Sequence, residues 1–411
     1  MGKYKGIESL RVRLDQKSPR IGTRYKYYDM KYSIDEFGSI IPDNFKRLKE
    51  TLGWCGKAVD SLADRLVFDE FISDNFGMGD IFNMNNKDVM IDSAIRGALI
   101  ASCSFVYISS DENGFPRLQV IDGADATGYI DPFTNMLTEG YAVLDRDKMG
   151  NPETEVYFTA ESTVVFEHGI QVEEYPNPAP YPLLVPIIYK PSAKRPFGHS
   201  RISRSCMDIT QSALRTLKRA EVSAEFYSFP QKYITGLDPN AEQMDKLKAT
   251  MSSFLQFDKD EDGDKPTLGQ FSQQSMTPYT EQLKMLASLF AGETGLTLDD
   301  LGFATDNPSS AEAIKASHET LRLMARKAQR DFSVGFRNTG YLACCVRDNM
   351  EYKRNEIYAT EIAWEPIFEP DMSTLSLIGD GALKINQAVP GYFGPNNLKY
   401  LTGIKGDDGN G

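Results

Sequence analysis

The chain has 411 residues, more than a single hydrophobic core usually spans, so we expect two or more substructures. Its 41% hydrophobic and 25% charged residues match average globular usage, which excludes a disordered or fibrous protein. The formal net charge of −13 argues against a tight general DNA-binding protein, because phosphate binding requires clustered Lys and Arg.

The N-terminal half is predicted to combine helices with antiparallel strands. Residues 43–72 carry a helical pattern of apolar residues, and residues 87–102 form a second predicted helix. From residue 104 to residue 167, short β-rich runs alternate with turn signals, as hairpins require. The predicted strands are residues 105–108, 117–121, 141–144, 156–158 and 164–166. The fold class predicted for this half is therefore α+β.

A long one-sided helix is predicted after a proline-rich connector. Residues 175–182 contain four prolines and can form neither a helix nor a central strand, so they are predicted to cross the surface. Between residues 202 and 227, apolar or small residues recur at spacings of three and four, which predicts a helix N-capped by Ser200. Its apolar stripe includes Ile209, Ala213, Leu217 and Ala220. The helix either packs within its own domain or lies beside copies of itself in an oligomer.

A compact insertion over residues 230–275 is predicted between two long helices. It comprises a strand that begins at Tyr233, a helix over residues 239–254 and a charged loop over residues 258–265. The second long helix opens at Thr277, before a proline. Its apolar face includes Tyr279, Leu283, Leu286 and Phe290.

A loop and a very long helix are predicted to follow. Residues 297–309 lack periodicity and form the loop, which contains Thr297, Phe303, Ala304, Thr305 and Asn307. Residues 309–312 are a capping box, so a helix begins there and runs as far as Met350, with Gly335 and Gly340 as candidate kinks. One flank of this helix carries Lys315, Arg322, Arg326 and Arg330. That flank is either a solvated, ion-paired face or a contact for a neighbouring acidic subunit or nucleic acid.

The acidic loop of the insertion resembles part of a calcium site. Asp258, Asp260 and Asp262 match the opening of an EF-hand loop, whose carboxylate oxygens suit Ca²⁺. The match ends at Pro266, the ninth position, and at Gly269, the twelfth, where the motif needs a bidentate Glu. A solvated acidic loop is therefore the prediction, and cation binding is left open.

No catalytic set is recognisable in the sequence. Gly198 and Ser200 begin a G-x-S pattern, but Ile202 replaces the closing Gly of a nucleophile elbow. Adjacent acidic residues such as Asp299 and Asp300 diverge on most backbones and are poor acid–base partners. We predict that the chain is not an enzyme. The alternative of a nucleic-acid-processing enzyme would require a cleft of converging carboxylates.

No cofactor, metal site or membrane span is predicted. The five cysteines lack CxxC spacing and are predicted to be small core residues: Cys55, Cys103, Cys206, Cys344 and Cys345. The three histidines lack ligand or triad spacing. The longest apolar runs fall far below the roughly 20 residues that a membrane helix needs. The N-terminus lacks the apolar stretch of a secretory signal, so we expect the protein to stay in the cytoplasm where it is made.

The order of motifs resembles the portal proteins of tailed bacteriophages, the head-to-tail connector family. Residues 185–189, 197–202 and 226–236 are similar to its proline-marked strand, its G-x-S-x-I segment before a long helix, and its Phe/Pro/Gly strand. Residues 290–302, followed by residues 307–312, are similar to its turn into the tunnel loop and the next helix. Residues 58–66 and 85–108 look like the first wing helices and strand, so the similarity spans most of residues 45–400.

The resemblance implies an α+β portal-like subunit, built from an α/β wing, a two-helix stem, a small α/β clip insertion, a long wing helix and a short crown. The implied boundaries are 1–200 for the N-terminal part of the wing, 201–228 for the first stem helix, 229–276 for the clip, 277–292 for the second stem helix, 293–309 for the tunnel loop, 310–350 for the long wing helix and 351–411 for the crown.

The resemblance also implies a ring, usually of twelve copies, at one capsid vertex, through which double-stranded DNA enters and leaves. Such a ring nucleates head assembly with the major capsid or scaffolding protein, docks terminase on its clip and later binds a head–tail adaptor. The loop residues from Thr297 to Asn307 would face DNA, and Tyr233 with the three loop aspartates would take part in docking. An acidic ring is compatible with DNA that slides past, because it repels phosphates. Another connector ring, or the portal of a gene-transfer particle, is the alternative.

Overall fold

The computed structural model of the chain describes residues 5–33, 50–228, 232–235, 267–270, 275–303, 311–368 and 372–402. The chain forms two compact units. The first comprises Met1–Tyr32, Gly53–Met207 and Gly292–Gly411, and the second comprises Ser33–Leu52 and Asp208–Ala291. The chain therefore leaves the first unit and returns to it. Helices and sheets occur together, which confirms the predicted α+β class.

Four helices form the early part of the first unit: α1 (Ile7–Tyr28), α2 (Trp54–Ala63), α3 (Met78–Met84) and α4 (Lys87–Ala101). The prediction of a helix over residues 87–102 is confirmed by α4. Leu10 and Leu14 of α1 are buried against Tyr141 and Val143. The sequence did not predict α1, because the average hydropathy of this segment is low. The helix is stabilised by burial of one face against the sheet.

The strands of the first unit form three antiparallel sheets. A three-stranded sheet has the order β3-β2-β9, with β2 at Cys103–Ser110, β3 at Pro116–Ile121 and β9 at Leu184–Ile188. A five-stranded sheet runs in chain order through β4 (Ala126–Ile130), β5 (Leu137–Arg146), β6 (Pro152–Phe158), β7 (Ser162–Glu167) and β8 (Ile170–Pro176). The third sheet pairs β1 (Phe68–Ile72) with β12 (Glu361–Trp364). All five predicted strands are present, in β2, β3, β5, β6 and β7.

Two predictions in this region are wrong at their ends. Of the helix predicted over residues 43–72, only Trp54–Ala63 is helical among the described residues; residues 50–53 are not helical and Phe68–Ile72 is the strand β1. Residues 43–49 lie outside the described residues. Phe68 instead packs on Phe82 and on Trp364 of the distant partner strand. The connector predicted from residue 175 begins two residues later, because β8 is an edge strand and tolerates a terminal proline.

The remaining helices are α5 (Arg204–Ser228), α6 (Thr277–Thr294), α7 (Ala311–Ser317), α8 (Glu319–Asp348), α9 (Arg354–Ile357), α10 (Met372–Ala388) and α11 (Pro395–Thr402). In the second unit, β10 (Lys232–Thr235) pairs with β11 (Thr267–Gln270) in an antiparallel sheet. The predicted long helices and the predicted strand at Tyr233 are thus present. The predicted helix over residues 239–254 lies outside the described residues.

The prediction of one helix from residue 310 to residue 350 is wrong at His318, which separates α7 from α8. The two candidate kinks, Gly335 and Gly340, lie inside the single helix α8. Both allow close packing instead: a Cβ atom on Gly335 would lie 2.7 Å from Ile187 Cδ1, and one on Gly340 would lie 2.7 Å from Met78 Sδ. The glycines therefore serve contact with β9 and α3.

Candidate functional site

The segment that joins α6 to α7 begins with an ordered loop, residues 295–303, which we call the anchored loop. Gly295 ends α6 with φ +71° and Gly302 has φ +89°, both in the left-handed region that favours glycine. Between them, Leu296 and Leu301 are buried and hold the loop against the first unit. The loop is thus fixed at both ends, although its sequence has no periodicity.

A short hydrogen-bonded turn lies within the anchored loop. Both the backbone N–H and the hydroxyl of Thr297 donate to Asp300 Oδ2, at 2.9 Å each. Asp299–Leu301 forms one turn of 3-10 helix, and Phe303 N–H donates to the Leu298 carbonyl at 3.0 Å. These bonds satisfy the polar groups of the loop locally and give it a defined shape.

His318 faces this turn from the bend between α7 and α8. Its Nδ1 lies 3.7 Å from Asp300 Oδ2, and its ring centroid lies 6.4 Å from that of Phe368. The side chains of His318 and Asp300 are 15% and 20% exposed. The junction between α7 and α8 thus lies next to the turn of the anchored loop.

Arg201 attaches the end of α6 to the core of the first unit. The Arg201 guanidinium is buried and donates from Nε to the Ala58 carbonyl at 3.1 Å and from Nη2 to the Thr294 carbonyl. Its Nη1 lies 3.1 Å from Met324 Sδ of α8. One side chain thus joins α2, α6 and α8 at the base of the anchored loop.

Ser203 reinforces this junction and corrects the predicted helix cap. The Ser203 hydroxyl accepts the Cys206 N–H at 3.1 Å, which makes Ser203 the N-cap of α5, and it contacts Glu293 Oε1 at 2.8 Å. The predicted cap, Ser200, donates its hydroxyl to the Ile100 carbonyl at 2.6 Å. Arg201, Ser203 and His318 were not singled out as functional from the sequence.

The structure brings together only part of the predicted tunnel-loop and docking residues. Thr297 and Phe303 are half-buried members of the anchored loop. Ala304, Thr305 and Asn307 lie outside the described residues, as do Asp258, Asp260 and Asp262. The backbone of Tyr233 lies in β10, opposite Gly269 of β11. The geometry leaves the roles of all nine residues as predictions.

The predicted stripe of α5 is partly buried in the second unit. Ala213 is buried, whereas Ile209, Leu217 and Ala220 are half-buried. In α6, Leu286 is buried, Leu283 is half-buried, and Met285 and Leu289 are each 54% exposed. The second unit therefore presents an apolar strip of α6 to solvent.

A buried ion pair and a hydrogen bond attach Glu50 and Ser33 to α5 within the second unit. Lys218 Nζ lies 3.8 Å from Glu50 Oε2, and each side chain is 5% exposed. Gln211 donates to the Ser33 carbonyl at 3.2 Å. Burial raises the pKa of Glu50, and the nearby Lys218 ammonium opposes that rise. Ser33 and Glu50 thus contact α5 at positions two helical turns apart.

The basic flank of the long helix is a mixture of paired and exposed side chains. Arg322 binds both carboxylate oxygens of Glu319, at 2.7 and 2.6 Å, as the ion-paired interpretation predicts. Lys315, Arg326 and Arg330 are exposed. The flank could serve a subunit or nucleic-acid contact through these three residues, and that role remains a prediction.

Within the described ranges, no group of three or more His, Cys, Asp or Glu side chains could hold a metal ion. All five cysteines are buried, as predicted, and none forms a disulfide. Burial raises the pKa of the Cys344 thiol to about 12. In the same part of the chain, no helix is both long and apolar enough to span a membrane.

Comparisons with known proteins agree on one family. Residues 8–374 match the family described as phage portal protein, SPP1 Gp6-like. The portal protein of Mycobacterium phage L5 is 27% identical over 330 residues, which cover 74% of this chain and 66% of that protein. The portal protein of Mycobacterium phage D29 is 24% identical over 332 residues, which cover 75% and 67%. The matched region thus spans about two thirds of each relative's length.

Two solved structures align over most of the chain. A chain of the neck of a native gene transfer agent particle, computed with C12 symmetry, has a TM-score of 0.46 and 15% identity, and the alignment covers 86% of this chain and 91% of that chain. A chain of the virion of a native gene transfer agent particle has a TM-score of 0.45 and 12% identity, with coverages of 86% and 90%.

Proposed function

Because the chain belongs to the SPP1 Gp6-like family of phage portal proteins, we propose that it is the ring subunit through which double-stranded DNA enters and leaves a capsid. The observation that carries this proposal is the family match over residues 8–374, nearly the whole chain. The element order supports it, since two long helices, α5 and α6, flank the strand pair β10–β11 before the chain returns to the first unit.

The parts of the portal are assigned within this proposal. Residues 201–228 and 277–292 form the stem, residues 229–276 the clip, and residues 293–309 the tunnel loop. The N-terminal wing (1–200), the wing segment of residues 310–350 with its two helices α7 and α8, and the short crown (351–411) complete the subunit. The helix bounds Arg204–Ser228 and Thr277–Thr294 support the stem assignment.

Ring formation rests on the apolar strip of α6. Met285 and Leu289 are each 54% exposed in the isolated subunit, and exposed apolar strips on helices favour association. Each copy adds a formal charge of −13, so a closed ring, of twelve copies in the family pattern, is an acidic tube. Such a tube repels phosphates and lets a duplex slide.

The tunnel loop acts by steric contact with DNA. The anchored loop gives it a rigid base, held by Arg201, Leu296 and Leu301. Among the adjoining residues, Ala304, Thr305 and Asn307 are uncharged and Asp306 is acidic, so the segment has no cation that could bind phosphate. This contact would restrain DNA from sliding back.

Deletion of residues 302–307 should therefore lower the retention of packaged DNA in particles, and normal packaging with normal retention would contradict this role.

The partners follow from the same assignment. Terminase binds the clip during packaging and supplies ATP hydrolysis, a head–tail adaptor replaces it, and the capsid or scaffolding protein surrounds the ring during assembly. The clip residues proposed for docking are Tyr233, Asp258, Asp260 and Asp262. The ring would form in the host cytoplasm and remain in the virion. We assign no reaction and no cofactor to this chain.

Electron microscopy and native mass spectrometry of the purified full-length chain test the proposal. We expect closed rings with a central channel. A chain that stays monomeric at high concentration and in the presence of its capsid and terminase partners would contradict it. Encapsidated DNA in particles from the same locus separates a phage portal from the portal of a gene-transfer particle.

A further inference from the structure

A basic patch lies on α1 of this acidic chain. Arg13, Lys17, Arg20 and Arg24 are spaced by four, three and four residues, so they share one face of the helix. The turn formed by residues 190–199 packs on this face through Phe197, whose ring centroid lies 5.3 Å from the Arg13 guanidinium and 5.6 Å from Lys17 Nζ. The same turn carries exposed Lys194 and Arg195. We call these six cations the α1 basic patch.

The charges of the patch are not neutralised by the part of the chain that the structure describes. None of the six forms an ion pair with a described carboxylate, whereas Arg11 on another face of the same helix binds Glu155 at 2.7 Å. Arg24 and Lys17 donate instead to neutral carbonyls, of Ala101 at 2.9 Å and Ala126 at 3.0 Å.

Electrostatic coupling confirms that the patch is a cluster. Burial, together with the like charges of Arg195 and Arg20, lowers the pKa of the Arg24 guanidinium below its usual value. Asp122 interacts electrostatically with Lys17, and its carboxylate already accepts hydrogen bonds from the Tyr25 hydroxyl and the Ala124 N–H. A bound anion would relieve the repulsion among these guanidinium groups.

We propose that the α1 basic patch binds the phosphate backbone of duplex DNA, as a contact separate in sequence from the tunnel loop. Four of its six cations are arginines, whose planar guanidinium groups bind phosphate oxygens in pairs. From Arg13 to Arg24 the row extends for about 16 Å along the helix, so it can meet several phosphates of one duplex. The proposal rests on the portal function, because that function brings DNA to the protein.

The exposed residues Arg20 and Arg195 provide the test. We would measure binding of the purified full-length chain to a labelled duplex of arbitrary sequence by fluorescence anisotropy across a salt series. The double variant R20E/R195E should weaken binding by about tenfold or more at about 0.1 M salt and should lower the salt slope by about two. The matched control R117E/K148E, which makes the same charge change at two other exposed residues, should bind like the wild type.

A neutral variant, R20Q/R195Q, and thermal unfolding of all variants separate binding from folding. The proposal predicts that the neutral variant is also weakened and that its unfolding temperature is unchanged. Wild-type affinity and salt slope in R20E/R195E would overturn the proposal, and so would an equal loss in the control. Unchanged DNA binding with lost ring assembly would overturn it too, because the patch would then face an acidic neighbouring copy. Ring formation, followed by electron microscopy, tests the portal function independently.

Discussion

Arg201 shows how a single buried charge can set the geometry of a loop. Its guanidinium lies among carbonyl groups of α2 and α6, and its neighbours in the sequence, Ser200 and Ser203, use their hydroxyls for backbone and side-chain contacts. A buried guanidinium is tolerated because these acceptors replace water. The position of the anchored loop therefore depends on a residue far from it in sequence.

Replacement of Arg201 by Ala should destabilise the first unit. The carbonyls of Ala58 and Thr294 would lose their charged donor while still buried, so we expect the free energy of unfolding to fall by about 3 kcal/mol. Urea denaturation followed by circular dichroism measures this change. The control Arg117→Ala, at an exposed strand position, should change it by less than about 0.5 kcal/mol. Equal stability of both variants would contradict the role of Arg201.

Cys344 makes stability depend on pH above neutrality. Burial raises the pKa of its thiol from about 9 to about 12, so the folded state holds its proton more tightly than the unfolded chain does. The resulting stabilisation is complete below about pH 9 and is lost as the pH rises toward about 12. Between these values, the free energy of unfolding of the wild type should fall more steeply than that of Cys344→Ala, by up to about 1.4 kcal/mol per pH unit. Identical slopes in urea titrations would refute this.

At the scale of elements, α8 organises the first unit through its glycines. Its aromatic side chains Phe332 and Phe336 are fully buried, and Gly335 between them allows β9 to approach the helix backbone. The glycine costs some helix propensity but permits this contact. The strand β9 pairs with β2, so the same contact orients the three-stranded sheet.

Gly335→Ala should therefore be destabilising, although alanine is the better helix former. Its Cβ atom would lie 2.7 Å from Ile187 Cδ1 and 3.1 Å from the Pro186 carbonyl oxygen, so we expect a loss of about 1–3 kcal/mol in the free energy of unfolding. Gly379→Ala in α10 is the matched control, because nothing lies within 4 Å of its added Cβ atom. Thermal unfolding should show a lower midpoint for the first variant and an unchanged or higher one for the second.

Helices with a regular spacing of apolar residues could be predicted from the sequence. Strands whose pairing partner is distant in sequence could not. The stripe over residues 202–227 predicted α5 to within two residues of its observed start at Arg204. By contrast, the sequence of β1 was predicted to continue the preceding helix. Its partner strand β12 lies almost 300 residues away, so no local pattern indicates the pairing. The edge strand β8 has no buried residue, so its sequence carries no alternation to detect.

The candidate site divides in the same way. The loop near Thr297 and Phe303 was predicted from its glycines and its lack of period. The contacts that anchor the loop were not predicted, because the hydrogen bond from Arg201 to Thr294 and the approach of His318 to Asp300 join residues that are separated in sequence. Polar contacts of this kind leave no periodic pattern in the sequence. The fold of the chain brings these residues together.

At the scale of the whole molecule, the portal proposal assigns assembly to the surface of the second unit. The exposed strip of α6 is apolar, and association of copies would remove it from water. The portal proposal therefore makes ring formation sensitive to this strip rather than to exposed apolar residues in general.

Leu289→Asp should reduce the fraction of chains in rings while leaving the subunit folded. Leu289 is 54% exposed, so the change costs little in the isolated subunit but places a charge in the contact between copies. Val89→Asp in α4, at a residue that is 74% exposed, is the matched control and should assemble normally. Native mass spectrometry gives the ring fraction, and circular dichroism checks the fold. Normal rings in Leu289→Asp would contradict a role for this strip.

The attachment of Ser33 and Glu50 to α5 constrains how such proteins can exchange parts. A chimera that takes residues 208–291 from a relative would also replace Gln211 and Lys218. Ser33 and Glu50 would then lose these two contacts with α5. Glu50 would then be a buried carboxylate without the neighbouring Lys218 ammonium. We therefore expect that recombination within the family yields a stable second unit only when both stretches of sequence are transferred together.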